Sequence, residues 1–396
     1  MILVYPTYYD NFRCIADRCE DTCCAGWEID IDDDTYDKYM SVGGNFGARL
    51  IESIKTYGEE SEILGEQNGT ESGIGVADHT EVERESEDEG YELHGFRLTD
   101  DLRCPFLDDH NLCDIYKELG ESALCEVCTN TPRNFLEYCD RREISISASC
   151  PEAARLIYGS PDKITFTTKE VPGRIDVESD EEETELGEFL IKVRDEAIRI
   201  LQDRNRSLSE RIDIFMKHSE AVQEAINNWE SSDEALPDEV IIQSGDITDI
   251  DDGYMSFLTR MSIYSGLASI GERWADRVQL LYSTFAVDDN RDIYLKAISD
   301  LNKYMQREDR LYEYEHLLVY YAFLLLNRSI DDYDYLTKAK LVVMSYYMNR
   351  DMDAGVFLKK GELTREDRQE NARIYAREVE HAEENMADLE EELMFS

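Results

Sequence analysis

The sequence predicts a mainly α-helical protein: a small cysteine-rich metal-binding module at the N-terminal end, then an α-helical domain. Three observations carry this. All ten cysteines fall between Cys14 and Cys150. From Phe189 onward apolar residues recur at helical spacing, as in Leu267, Ile270, Trp274, Val278 and Leu281. Acidic stretches poor in aromatics interrupt the chain at 58–92 and 176–188. The expected organisation is a cysteine-rich domain over 1–160 with an acidic disordered insertion at 58–92, an acidic linker over 161–188, and a helical domain over 189–396.

In chain order, "DDDTYDKYM" reads as a helix after the first cysteines. Residues 58–92 hold too little apolar surface to offset the entropy of ordering. "CPFLDDHNLCDIYKELG" reads as a turn at Asp108–Asn111 and a short helix ending at Gly120. "SALCEVCTNTPR" reads as a helical turn stopped before Pro132, and "RREISISASC" alternates like a strand. Tyr314, Leu317, Leu318, Tyr321, Leu324 and Leu325 share one helical face. The segment from Arg365 to Leu393 reads as a charged helix with a frayed tail.

Composition narrows the function. The 396 residues carry a net charge of −48. Such a surface repels phosphate backbones, so nucleic acid is not expected as a partner, whereas basic partners are attracted. No apolar run approaches the ~18 residues of a membrane span, and the start lacks secretory signal features. The expected location is cytoplasmic, with no membrane partner. In that compartment thiols stay reduced, so ten cysteines point to a metal or an iron–sulfur cluster rather than disulfides.

The cysteines form two blocks. The first, C-x4-C-x3-C-C, supplies Cys14, Cys19, Cys23 and Cys24. The second supplies Cys104, Cys113, Cys125 and Cys128, followed by Cys139 and Cys150. Thiolates are soft ligands that suit zinc and iron–sulfur clusters. Only Cys125–Cys128 has the C-x2-C spacing of a zinc knuckle, so the wider gaps favour a larger object. Cys139 fits equally well as a small buried apolar residue. His110, between two cysteines of the second block, is a weaker ligand candidate than a turn residue. His79 and His94 lie in or beside the insertion.

"FRCIADRCEDTCCAGWEIDID", "CPFLDDHNLCDIYKELGESALCEVCTNTPR" and "SCPEAARLIYG" together resemble the flagellin lysine N-methylase family, whose cysteine-bearing half belongs to a zinc- or iron-chelating group. Residues 316–347 resemble the family's C-terminal helical region. The resemblance implies transfer of methyl groups from S-adenosylmethionine to lysines of flagellin. It also implies an iron–sulfur cluster, a 4Fe-4S cluster in the first instance with zinc as the alternative, held by Cys14, Cys19, Cys23, Cys24, Cys104, Cys113, Cys125 and Cys128. Cys150 is a further, weaker candidate. Eight thiols exceed the four that one cubane needs, so some are structural or there are two sites.

Lysine methylation needs a neutral amine, yet lysine has a pKa near ~10.4, so a site must strip its proton by burial or by a base. Tyr320, Tyr321, Tyr346 and Tyr347 could line such a site, although ordinary packing explains them as well. No G-x-G-x-x-G follows a strand, so a Rossmann-type methyltransferase fold is not expected. Trp27 is expected to cap a cluster at the paired cysteines. The alternative function is a non-enzymatic zinc- or iron-binding module with a partner-docking helical domain. A thiol redox protein built on Cys125–Cys128 is weaker still.

Overall fold

In the computed structural model the described residues are 1–26, 29–57, 93–173, 180–232, 235–242, 253–269, 271–287 and 290–394. Trp27 and the insertion at 58–92 lie outside them. The described strands are β1 (Ile2–Pro6), β2 (Asp30–Ile31), β3 (Ile54–Tyr57), β4 (Leu93–Phe96), β5 (Arg133–Tyr138), β6 (Arg141–Ile146) and β7 (Phe166–Glu170).

The chain divides into two units. One is Thr22–Thr131, and the other combines Met1–Asp21 with Pro132–Ser396. This differs from a boundary near residue 160. The reason is β1, which pairs in parallel with β6 and antiparallel with β7, so the first residues join a sheet ordered β5-β6-β1-β7. Parallel neighbours need a long crossover, and here the crossover holds the whole other unit.

The described residues of the cysteine unit, Thr22–Thr131, form a three-stranded antiparallel sheet, β2-β4-β3, and the short helices α1 (Asp33–Met40), α2 (Gly44–Ser53), α3 (Asp114–Leu119) and α4 (Glu126–Asn130). The helix predicted in "DDDTYDKYM" is α1. Asp32 caps it by accepting from the Thr35 N–H at 3.0 Å, and its other carboxylate oxygen accepts from the Glu126 N–H at 2.8 Å. One side chain thus fixes the starts of two helices. Gly120 ends α3 at φ 87°, a conformation that favours glycine. The core is small and contains Ile29, Ile31, Tyr39, Leu50, Phe96 and Phe106 together with Cys104 and Cys125.

The second unit adds α5 (Pro151–Tyr158), α6 (Glu181–Leu201), α7 (Leu208–Ser232), α8 (Tyr254–Gly266), α9 (Glu272–Leu281), α10 (Arg291–Arg307), α11 (Tyr312–Leu325), α12 (Ser329–Asp332), α13 (Tyr335–Lys360), α14 (Arg365–Glu380) and α15 (Glu383–Met394). The stretch expected as a linker over 161–188 is partly ordered. Phe166–Glu170 is β7, and Glu181–Glu183 form the first turn of α6, where a capping box links Asp180 and Glu183. Acids at that end also meet the positive pole of the helix. The stripe from Leu267 to Leu281 is not one helix. Gly266 ends α8 and Gly271 caps α9, so Trp274, Val278 and Leu281 belong to α9 alone, while Ile270 is outside the described residues.

Helix α11 is buried on every side and packs on α5, α6 and α13. Helix α13 is buried over most of its length, including Asn349, Arg350, Asp351 and Asp353. The charged helix α14 is also inside: Arg368 and Asn371 are fully buried. Arg368 meets Asp353 at 3.1 Å and lies over the rings of Tyr158 and Tyr314. Its charge therefore serves the interior rather than a solvated face.

Candidate functional site

Five thiols gather within the cysteine unit: Cys24, Cys104, Cys113, Cys125 and Cys128. Local backbone geometry brings them together. The Cys104 N–H donates to the Cys24 carbonyl at 2.9 Å, and the Gly26 N–H donates to the Leu102 carbonyl at 2.8 Å. The paired cysteines are thereby zipped to the segment entering the second block. Cys113 and Cys125 are the residues preceding α3 and α4, and Cys128 follows Cys125 by one helical turn. The Cys125 and Cys128 sulfurs are 3.2 Å apart.

The electrostatics suit metal binding. Hydrogen bonding from Cys23, with help from Thr22 and Arg103, overcomes burial and lowers the Cys24 thiol to about 7. Cys104 is pushed up to about 12 by burial, with Cys24, Cys113 and Cys125 adding to the effect. Cys125 and Cys128 titrate as a pair: the hydrogen bond between them eases the first proton off, and the same bond with burial holds the second. Several thiols that cannot ionise together without a cation are what a soft metal would relieve. Among the described residues, no three His, Cys, Asp or Glu side chains close round one point as a single ion would require.

The remaining first-block cysteines belong to the other unit. Cys14 and Cys19 there join Cys150, which precedes α5 and packs against Phe12, Ile146 and Ala153. Burial raises the Cys150 thiol, and Cys19 and Cys14 raise it further. The segment carrying Cys14 and Cys19 is pinned by Asp21, which meets Arg273 at 2.6 Å, Arg373 at 2.8 Å and Arg377 at 3.0 Å. The eight predicted ligands thus fall into two groups, with Cys23 exposed beside Cys24. Cys139 joins neither group: it sits in the β5–β6 turn at φ 54°, its sulfur 3.6 Å from the Glu183 carbonyl. His110 is an exposed turn residue whose N–H donates to Asp108. His94 stacks on Tyr36 with ring centres 3.6 Å apart, and His79 lies outside the described residues.

A polar cluster that the sequence reading missed lies in the second unit around Glu380, the last residue of α14. Its carboxylate accepts from Ser147 Oγ at 2.7 Å, Tyr320 OH at 2.8 Å and Tyr321 OH at 3.0 Å. The Tyr320 hydroxyl also accepts from the Ala148 N–H at 3.0 Å, which fixes its proton toward Glu380. Ser147 and Ser149 both lie 2.9 Å from His381 Nε2. Burial outweighs these hydrogen bonds and raises Glu380 to about 7. The signal in the sequence was an acid closing a helix turn that also carries Tyr375 and Val379, with serines at alternate positions in "SISAS". Of the four tyrosines considered, Tyr320 and Tyr321 meet this acid. Tyr346 and Tyr347 instead lie against the Arg350 guanidinium, at 5.6 and 4.9 Å.

The model of the FliB lysine N-methylase C-terminal domain matches residues 194–396, about half of the chain. The chain belongs to the FliB lysine N-methylase family. Over 167 residues it is 28% identical to proteins called lysine-N-methylase from Salmonella choleraesuis and Salmonella typhimurium; the match covers 42% of this chain and 35% of each relative. It is also 28% identical over 165 residues to the flagellar biosynthetic protein FliU of Salmonella muenchen, covering 41% of this chain and 81% of that protein. The match thus spans about a third of the length of the two lysine-N-methylases. No solved structure matches the chain. No helix among the described residues is long and apolar enough to cross a membrane.

Proposed function

We propose that this family member is a protein-lysine N-methyltransferase that uses S-adenosylmethionine and acts on flagellin in the cytoplasm, with a cysteine-held iron–sulfur cluster. The observation that carries the reading is the family match across the helical half, residues 194–396. The flagellar name of one relative supports flagellin as the substrate. A net charge of −48 favours an encounter with a lysine-bearing protein surface.

Cys24, Cys104, Cys113, Cys125 and Cys128 are the residues that would hold the cluster. An all-sulfur donor set supports iron–sulfur or zinc. Bound there, a cluster would staple a unit with a small core, or offer an iron with an open position to the donor's amino-carboxylate. Cys14, Cys19 and Cys150 form a second thiol group that could take a metal of its own.

The test is anaerobic purification with iron, sulfide and zinc analysis, followed by incubation with flagellin and S-adenosylmethionine. The expected result is bound iron and sulfide, and flagellin peptides heavier by whole methyl groups on lysine. A metal-loaded protein that never methylates flagellin would establish the non-enzymatic metal-binding module instead.

A further inference from the structure

Glu380 is a half-buried acid in a unit whose interior holds several arginine–carboxylate pairs. Glu143 pairs with Arg194, Glu313 with Arg310, Glu315 with Arg211, Asp351 with Arg260 and Asp353 with Arg368. Among the described residues, no Lys or Arg makes an ion pair with Glu380. Its three hydrogen-bond partners, Ser147, Tyr320 and Tyr321, are neutral hydroxyls. Arg328 acts on it only at longer range. A carboxylate partly taken from water with only hydroxyl partners is favoured by a nearby positive charge, so the site suits one cation.

Its surroundings suit an ammonium group in particular. The Tyr320 and Tyr321 rings meet edge to face at 4.9 Å, and Tyr321 meets Tyr375 in the same way at 5.8 Å. Tyr8 and Tyr158 are near enough for Glu380 to raise their hydroxyls further, after burial has done most of it. Tyrosine rings grouped about a carboxylate are a combination that favours alkylammonium ions. The cluster is not sealed, since Tyr8, Ser149, Glu380 and His381 are only half-buried.

We propose that Glu380, with Tyr320, Tyr321 and Tyr8, is the receptor for an alkylammonium group and, resting on the methyltransferase reading, seats the target lysine and takes its proton. The step balances. The Glu380 carboxylate removes one proton from the lysine ammonium and becomes a carboxylic acid. The freed nitrogen lone pair forms the C–N bond to the sulfonium methyl of S-adenosylmethionine as the C–S bond breaks, and sulfur keeps that electron pair as a thioether. The product is a methylammonium, and Glu380 returns its proton to water. The groups facing Glu380 are Tyr320 and Tyr321 of α11, Tyr375 of α14, Tyr8, Tyr158 of α5, Ser147, His381 and, further off, Arg328.

The test uses the full metal-loaded chain and n-butylammonium chloride as a probe of the lysine side chain, by titration calorimetry. Wild type should bind the probe at pH 8, and binding should weaken as pH falls below about 7, where the carboxyl holds its proton. Glu380→Gln keeps the shape and should bind at least tenfold more weakly. No binding to wild type, or equal binding to the variant, overturns the proposal. If Glu380→Gln loses its cooperative thermal transition, Tyr321→Phe replaces it and should bind about threefold more weakly; unchanged binding overturns the proposal. Methyl transfer is read separately. Probe binding without transfer to flagellin keeps the receptor and overturns the enzyme reading. Transfer by Glu380→Gln with unchanged kcat, KM and pH profile overturns the receptor and keeps the enzyme.

Discussion

The unit Thr22–Thr131 and the unit of Met1–Asp21 with Pro132–Ser396 reach stability by different means. The first buries an eleven-residue cluster that includes two thiols, with Cys24, Cys113 and Cys128 packed against it. The second surrounds α11 and α13 with a large apolar core and places arginine–carboxylate pairs inside it. A small core leaves little margin against chain entropy, so a metal held by those thiols, as proposed, would add most to the first unit. The second has a large apolar core of its own.

The largest effect that would break this contrast comes from removing metal. Structural metal binding in small domains is worth on the order of 10 kcal/mol and is coupled to folding. Chelation, or Cys24→Ser, Cys104→Ser or Cys125→Ser, should lower metal per chain and remove hydrogen-exchange protection from α1–α4. Protection in α11 and α13 should stay. Cys139→Ser should change neither, because its sulfur belongs to no thiol group. Equal loss of protection in both units would show that the contrast is false.

Next in size is the buried pair Glu143–Arg194. Arg194 meets both carboxylate oxygens, one at 2.8 Å, and lies over the Phe323 ring at 4.7 Å. Tyr138 also donates to Glu143 at 2.8 Å. Glu143→Ala leaves a buried guanidinium without its partner and should cost about 3–5 kcal/mol. Replacing both residues by apolar ones of similar size should cost much less. Denaturant midpoints of the single and double variants read the difference, and equal costs would mean that packing, not charge, fixes this contact.

These cases mark how far the sequence could be read. The cysteine order pointed to a metal-binding module because soft ligands in that density have few other uses in a reducing compartment. The sequence offered all eight block cysteines as ligands without dividing them, and the gathering of Cys24 with Cys104, Cys113, Cys125 and Cys128 was not legible in it. The assignment of Cys14 and Cys19 to the other unit did not follow. It depends on Asp21 reaching Arg273, Arg373 and Arg377, more than two hundred residues away, and pairing at such range leaves no local pattern. Part of the stretch expected as a linker is ordered, for a local reason. Glu181–Glu183 have the composition of a solvated stretch, yet Asp180 and Glu183 carry the spacing of a capping box. Helix α14 misled in the same way, since Arg368 looks solvent-facing until Asp353 is placed beside it.

A pH series sharpens the contrast for the helical unit at about 3 kcal/mol. His218 of α7 is buried, and its Nδ1 has no hydrogen-bond partner among the described residues. Burial lowers its pKa from 6.5 to about 4. The unfolded chain therefore takes up a proton below 6.5 while the folded chain resists until about 4. Stability is fully present above 6.5 and is lost as pH falls through that window, at about 1.4 kcal/mol per pH unit. His218→Met should flatten this slope. An unchanged slope would assign the acid sensitivity of the unit to other groups.

The smallest expected effect tests whether the acidic insertion takes part in the thiol group. Strands β3 and β4 pair antiparallel with Tyr57 opposite Leu93, the residues that flank 58–92. Their backbones are thus already at the spacing a two-residue hairpin turn spans, and Asn-Gly suits such a turn. Exchanging 58–92 for Asn-Gly should leave metal per chain unchanged. Because loop-closure entropy grows only slowly with length, the shorter loop should stabilise the unit by no more than about 2.5 kcal/mol. The thiols enter this argument through β4: Phe96 packs in the same core as Cys104 and Cys125, so a slip in the β3–β4 register would disturb the thiol group. Metal analysis and a thermal melt of the excised protein check both points. Lost metal with an intact β3–β4 pairing, read from hydrogen exchange, would show that the insertion itself supplies contacts to the thiol group.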